Sequence, residues 1–136
     1  MSMNDGRPSS QKRIDMDQRK ARGSLAEQIA ADYLIQQGYK VLERNWRCRS
    51  GEIDIVAETG HTVVIVEVRS RRKNSFTFGS PLESITSRKI KQVRDTAVVY
   101  LYRFSKSNAT IRFDVIGIVM NPDGSVDTLD HVIDAF

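Results

Sequence analysis

The stretch from Gly51 to Lys73 restricts the fold more than any other part of the chain, because it admits little besides a β-hairpin. Two runs rich in Ile and Val meet at Gly60-His61, glycine first, which is the order a two-residue loop of type II′ requires. A four-residue loop from Thr59 to Thr62 keeps the same register. With Thr59 paired to Thr62, Ala57 faces Val64, Val56 faces Ile65, Asp54 faces Glu67 and Glu52 faces Arg69. Side chains alternate along a strand, so Ile53, Ile55, Ala57, Val64, Val66 and Val68 are expected to share one apolar face. The other face carries Val56 and Ile65 near the turn, with Glu52, Asp54, Glu67 and Arg69 gathered at the open end.

Directly opposed residues have Cβ atoms about 5 Å apart. Two carboxylates at that distance repel by roughly 3 kcal/mol at an effective dielectric of about 20. The run Val63 to Val68 is apolar apart from Glu67, the pattern of a strand covered on both faces, so Glu67 is not expected to be freely solvated. A hard divalent cation would relieve the repulsion, since Mg²⁺ is held by one or two carboxylates together with waters and substrate phosphates. The competing reading is a salt-bridged solvent face, with Glu52 paired to Arg69 and Glu67 to another arginine.

The chain has 136 residues, 40% of them hydrophobic, which suits one domain with its own core. There is neither an apolar run of membrane-spanning length nor a signal peptide, so a soluble cytoplasmic protein without a membrane partner is expected. Cys48 is the only cysteine and His61 and His131 the only histidines, which excludes an internal disulfide and a zinc constellation. The net charge of +4 is unevenly spread. Positions 1–22 form a polar, basic opening containing Arg7, Lys12, Arg13, Arg19, Lys20 and Arg22, expected to be a loosely attached tail, with a single domain over 23–136. Three further clusters are Arg44, Arg47 and Arg49 around Trp46; Arg69, Arg71, Arg72 and Lys73; and Arg88, Lys89, Lys91 and Arg94. Brought together, such clusters make a phosphate-backbone surface, for which Arg47, Arg49, Arg71, Arg72, Lys73, Arg88 and Lys91 are the candidates.

Helical periodicity predicts a first helix over Leu25–Gln37, stopped by Gly38. Ser24 and Glu27 match a capping box; Glu27 is alternatively a third carboxylate of the site. Lys40–Cys48 reads as a strand leading into the hairpin. The loop 74–79 holds Phe76 and Phe78, which either anchor it or cover the site. A short turn from Ser80-Pro81 leads to a helix over Arg88–Phe104, capped by Thr86 or Ser87, with an apolar face of Ile90, Val93, Ala97, Val98, Leu101 and Phe104. Lys89 sits in its first turn, the unfavourable end for a cation, which hints at a task. Ile111–Met120 and Val126–Val132 are strands around an Asn-Pro-Asp-Gly turn. The helix before Ile111 makes the second hairpin strand and the strand from Ile111 parallel neighbours with a right-handed crossover. The expected class is α/β, a mixed central sheet flanked by helices in the order α-β-β-β-α-β-β.

Gly23-Ser-Leu-Ala-Glu27, Tyr33-Leu34, Gly38-Tyr39, Asn45-Trp46-Arg47, Gly51-Glu-Ile-Asp54, Val66-Glu-Val-Arg69, Phe78-Gly-Ser-Pro81, Lys89 and Arg112-Phe-Asp-Val115 together resemble the YraN-like family of small bacterial proteins. That resemblance implies a fold like restriction endonucleases and archaeal Holliday junction resolvases. In related nucleases an acidic pair and a following Glu-x-Lys hold metal and water. By that resemblance Asp54 and Glu67, joined by the main-chain carbonyl of Val68, would be ligands of Mg²⁺ or Mn²⁺, with Glu27 as the helix carboxylate. Arg69 stands where such nucleases commonly have lysine, and arginine cannot act as a general base. Lys89 or Lys73 would then supply an ammonium, or the cation would act on its water unaided. The expected function is metal-dependent hydrolysis of DNA phosphodiesters, branched DNA included. The alternatives are a nucleic-acid-binding module of the same fold and a protein-interaction domain with salt-bridged carboxylates. A homodimer is left open.

Overall fold

The computed structural model describes residues 9–74 and 80–136. Its elements follow the expected order: α1 Ser9–Gln36, β1 Lys40–Cys48, β2 Gly51–Thr59, β3 Thr62–Arg72, a 3₁₀ turn Leu82–Ser84, α2 Ser87–Arg103, β4 Thr110–Met120 and β5 Val126–Val132. The sheet runs β1-β2-β3-β4-β5, with β3 and β4 parallel across the α2 crossover and the other pairs antiparallel. The hairpin of β2 and β3 thus lies at the centre of the sheet and receives a helix on each face. Gly60 has φ 57°, while His61 is not in the left-handed region, the sign pattern of the expected turn.

Each face buries its own core. On one side Ala26, Ala30, Ala31 and Leu34 of α1 pack on Ile55, Ala57, Val64, Val66, Ile116, Ile118 and Met120. On the other, Val93, Ala97 and Tyr100 of α2 pack on Ile53, Val56, Val63, Ile65 and Phe113. Burial of β3 on both faces explains its nearly unbroken apolar run.

Four expectations are corrected. First, α1 starts at Ser9, so Ser24 is inside a helix and Glu27 closes no capping box. Of the opening expected to be a loose tail, positions 9–22 continue the helix; they are rich in Gln, Lys, Arg, Met and Ala, all good helix formers. Second, Val98 and Phe104 at α2 are 65% and 41% exposed, whereas Thr96 and Tyr100 are buried. The Thr96 hydroxyl is satisfied by donating to the Gln92 carbonyl at 2.8 Å, and Tyr100 packs edge-on to Trp46. Third, Ile53 leaves the face it was expected to share with Ile55 and joins the α2-side core. Next to it in the sheet, Asn45 of β1 takes φ 51°, and the hairpin ladder with β3 ends at Ile55, just before Asp54. Fourth, Glu52 does not face Arg69. Phe76 and Phe78 lie outside the described residues.

Candidate functional site

The hairpin ladder runs from Thr59↔Thr62 to Ile55↔Val66 in the expected register and stops there. Side chains replace the missing main-chain bonds. The Val68 N–H donates to Asp54 Oδ2 at 2.8 Å, and the Asp54 N–H points at Glu67 Oε2 at 3.4 Å. Each carboxylate is therefore held against the other residue's strand, which brings Asp54 and Glu67 together at the open end of the hairpin.

Glu67 is only 2% exposed. Burial, then the neighbouring Asp54 charge, pushes its carboxyl up to about 7, against the opposing pull of Lys89. Burial likewise lifts Asp54 to about 6; the Val68 hydrogen bond opposes the rise and the charges of Glu27 and Glu52 add to it. The pair is therefore short of positive charge. Lys89 is the cation that reaches it, with Nζ 3.7 Å from Glu67 Oε1. Its inward reach follows from the Thr86 cap, whose Oγ1 accepts from the Lys89 N–H at 3.1 Å and fixes the first turn of α2 over the site. Two acidic side chains, one of them almost fully buried and both costly to ionise unaided, suit a hard divalent cation that keeps several waters. Among the described residues, however, no three His, Cys, Asp or Glu side chains converge as a metal cage. Glu27 is near enough to raise Asp54 without closing such a cage.

Arg69 points elsewhere. Its Nε donates to Ser84 Oγ at 3.0 Å and its Nη2 to the Ser84 carbonyl at 3.2 Å, tying β3 to the 3₁₀ turn. Glu52 instead pairs with Arg47 across β1 and β2 at 3.2 Å. Among the described residues no arginine pairs with Glu67; the ion pairs of this end of the hairpin are Glu52 with Arg47 and Glu67 with Lys89, not the arginine partners expected.

The expected basic residues do gather at one end of the sheet. Arg47 lies at the end of β1 with Arg49 just beyond it, Arg71 and Arg72 end β3 with Lys73 following, and Arg88 lies in the first turn of α2. The first turns of α2 crowd the β1–β2 turn so closely that a Cβ on Gly51, whose φ is 149°, would meet the Gln92 side chain at 2.9 Å. Several of these cations are partnered within the chain: Arg47 with Glu52, Lys73 with Asp127 at 3.2 Å and exposed Lys91 with Asp95 at 2.8 Å. Beside Arg69 a cleft of about 580 Å³ is lined by Arg71, Ser80, Ser84, Thr128 and Asp130 over Gly117.

A second polar constellation was not foreseen. Buried Asp114 accepts from Arg112 Nε and Nη2 at 2.8 and 2.7 Å, from His131 Nε2 at 2.8 Å and from the Asp134 N–H at 3.0 Å. Burial alone would raise its carboxyl, but these donors outweigh burial and hold it below the usual carboxylate range. With His131 Nε2 donating, Nδ1 is free to accept from the Tyr33 hydroxyl at 3.0 Å, while Arg112 also reaches Tyr39 at 2.7 Å. The network fastens α1, Tyr39 just beyond it, β4 and β5 to one another. Its one sequence signal is Arg112 and Asp114 two apart on one strand face, which names no partner from another element.

No described helix is long and apolar enough to cross a membrane. Residues 26–118 match the model of the uncharacterised protein family UPF0102. A UPF0102 protein of Trichlorobacter lovleyi is 44% identical over 115 residues, covering 84% of this chain and 88% of the relative. One of Pelobacter propionicus is 39% identical across 97% of this chain and 94% of the relative, and one of Geobacter metallireducens 43% across 86% and 93%.

Proposed function

The chain belongs to the uncharacterised protein family UPF0102, the YraN family, and we propose that it is a divalent-metal-dependent endonuclease acting on DNA in the cytoplasm, branched DNA included. The observation that carries this reading is the Asp54–Glu67 pair: two crowded acidic groups, one almost fully buried, locked to each other's strands and met by Lys89. A purely structural role gains nothing from placing them there, since burying charge short of partners costs stability.

In this reading Asp54, Glu67 and the Val68 carbonyl hold Mg²⁺ or Mn²⁺. When bound, the cation supplies Lewis acidity and makes water a stronger nucleophile. Lys89, already drawn to Glu67, is placed to offset charge building on a phosphate. Arg69 and Arg71 line a cleft that reaches Val68, next to Glu67 in the chain, and would position the substrate backbone. A binding module without cleavage is the second reading, favoured by the commitment of Arg69 to Ser84 instead of to the acidic pair.

The test is incubation of labelled linear and branched DNA with Mg²⁺ or Mn²⁺, the parent beside Asp54→Ala. Cleavage by the parent and none by the variant is the expected result. Binding without cleavage in either metal moves the protein to the second reading, and absence of both binding and cleavage overturns the two together.

A further inference from the structure

The N-terminal half of α1, expected to be loose, instead forms one wall of a cleft of about 890 Å³ on the face of the sheet opposite α2. Its other wall is the end of β3 and the β4–β5 turn, with Arg72, Lys73, Asn74, Met120 and Asn121. Arg19, Arg22 and Arg72 all line it, and Arg22 is destabilised as a cation first by burial and then by the charges of Arg72 and Arg19. Arg22 Nε is buried and has no hydrogen-bond partner among the described residues. A buried donor left unmade costs free energy, and three guanidinium groups crowded together repel, so the cleft, with Arg19, Arg22, Arg72 and Lys73 against Asp15, carries an excess of positive charge that a further anionic acceptor would offset. Lys73 adds a further positive charge at the cleft and pairs with Asp127 through its Nζ. The carboxylate lining the cleft is Asp15, which accepts from Gln11.

Arginine forks match phosphate oxygens in geometry and charge. We propose that this cleft is a second phosphate-binding site, in which Arg19, Arg22 and Arg72 hold a backbone phosphate of the same DNA whose scissile group lies at Asp54 and Glu67. The proposal rests on the nucleic-acid reading above and extends it. Arg72 is five residues beyond Glu67 on β3, about 16 Å along the strand, and alternation puts the two on opposite faces. DNA held at both places passes over the open end of the sheet, and α1 acts as an arm that lengthens the footprint. A trinucleotide is too short to occupy both sites.

The test uses the full chain and two variants, Arg22→Met and Arg72→Gln, in metal-free buffer at low salt. Fluorescence anisotropy is read on a labelled duplex of about 30 base pairs and on a labelled trinucleotide as the short ligand, and melting is followed with inorganic phosphate or pyrophosphate. Each variant is expected to lose roughly tenfold in affinity for the long duplex, with the log–log salt slope falling by about one unit, and to lose much less for the trinucleotide. Arg22→Met is also expected to melt no lower than the parent, since it removes an orphaned donor; a merely structural arginine would lower it. Long-duplex affinity equal to the parent in both variants overturns the second site while leaving the nuclease reading intact. If the parent binds no DNA, the reading above fails. In that case stabilisation of the parent, but not of Arg22→Met, by pyrophosphate retains the cleft as a site for a free phosphate compound, and equal melting of both discards it.

Discussion

Replacing Glu67 with glutamine removes a charge and almost no volume from a side chain that is 2% exposed. The Glu67 carboxyl rises from an ordinary 4.5 to about 7 in the folded chain, and each unit corresponds to about 1.4 kcal/mol. Keeping it ionised above pH 7 without metal therefore costs on the order of 3 kcal/mol. Its folded value is raised, so the native state holds more protons than the unfolded chain between these limits. The metal-free parent is most stable below about pH 4.5 with respect to this group and loses that stability as pH climbs through about 7. The Glu67→Gln variant would escape the loss; the opposing pull of Lys89, about one-third exposed, is already contained in the value of about 7. The net expectation at about pH 8 is a gain of about 3 kcal/mol, or roughly 10 °C in melting temperature. At about pH 5, where the parent's Glu67 is protonated, the two proteins should melt together. Mg²⁺ should raise the melting temperature of the parent at the higher pH and leave the variant nearly unmoved, and cleavage by the variant should collapse. A variant that melts several degrees lower at that pH, beside a parent indifferent to Mg²⁺, would refute the reasoning and return Glu67 to a structural ion pair.

Asp114→Asn should lower stability by about 3–5 kcal/mol, because it leaves the Arg112 guanidinium uncompensated beside His131; an unchanged urea midpoint would show that the network is dispensable. In Gly117→Ala the new methyl lands on the Pro81 ring, so the Pro81–Ser84 segment must move at a cost of about 1–3 kcal/mol. Calorimetry on that variant should show the loss, and parental melting would mean the ring yields freely. DNA affinity should fall with salt by about 0.9 in log–log slope for each phosphate neutralised, so about four or five contacts give a slope near roughly −4; titrations at several salt concentrations that give a flat line would favour a protein-interaction domain.

The hairpin was legible because three independent signals agreed: the Gly60-His61 turn, period-two alternation and the apolar run of β3. The strand β1 and the strands β4 and β5 were readable for similar reasons, and the misplaced charge of Lys89 in the first turn of α2 finds its explanation in Glu67. Local breakage of periodicity was not readable. Counting by twos put Ile53 with Ile55 and Glu52 opposite Arg69, whereas the β2–β3 ladder ends at Ile55, Ile53 joins the other core and Glu52 pairs with Arg47. The start of α1 was hidden by Gly23 and Ser24, a convincing capping signal that the helix runs through. Contacts between elements distant in the chain, such as Arg112 with Tyr39, Tyr33 with His131 and Arg22 beside Arg72, leave no trace in spacing at all.

The Val68 amide has a further consequence for spectroscopy. Its proton is held at 2.8 Å by a side chain that titrates, where its neighbours along β3 are held by the sheet. Its nitrogen and proton resonances should therefore move with the ionisation of Asp54 and again on addition of Mg²⁺, and its solvent exchange should quicken in Asp54→Ala while the Val66 amide keeps its protection. One backbone signal at the centre of the sheet thus reports the state of the acidic pair, with no label and no substrate.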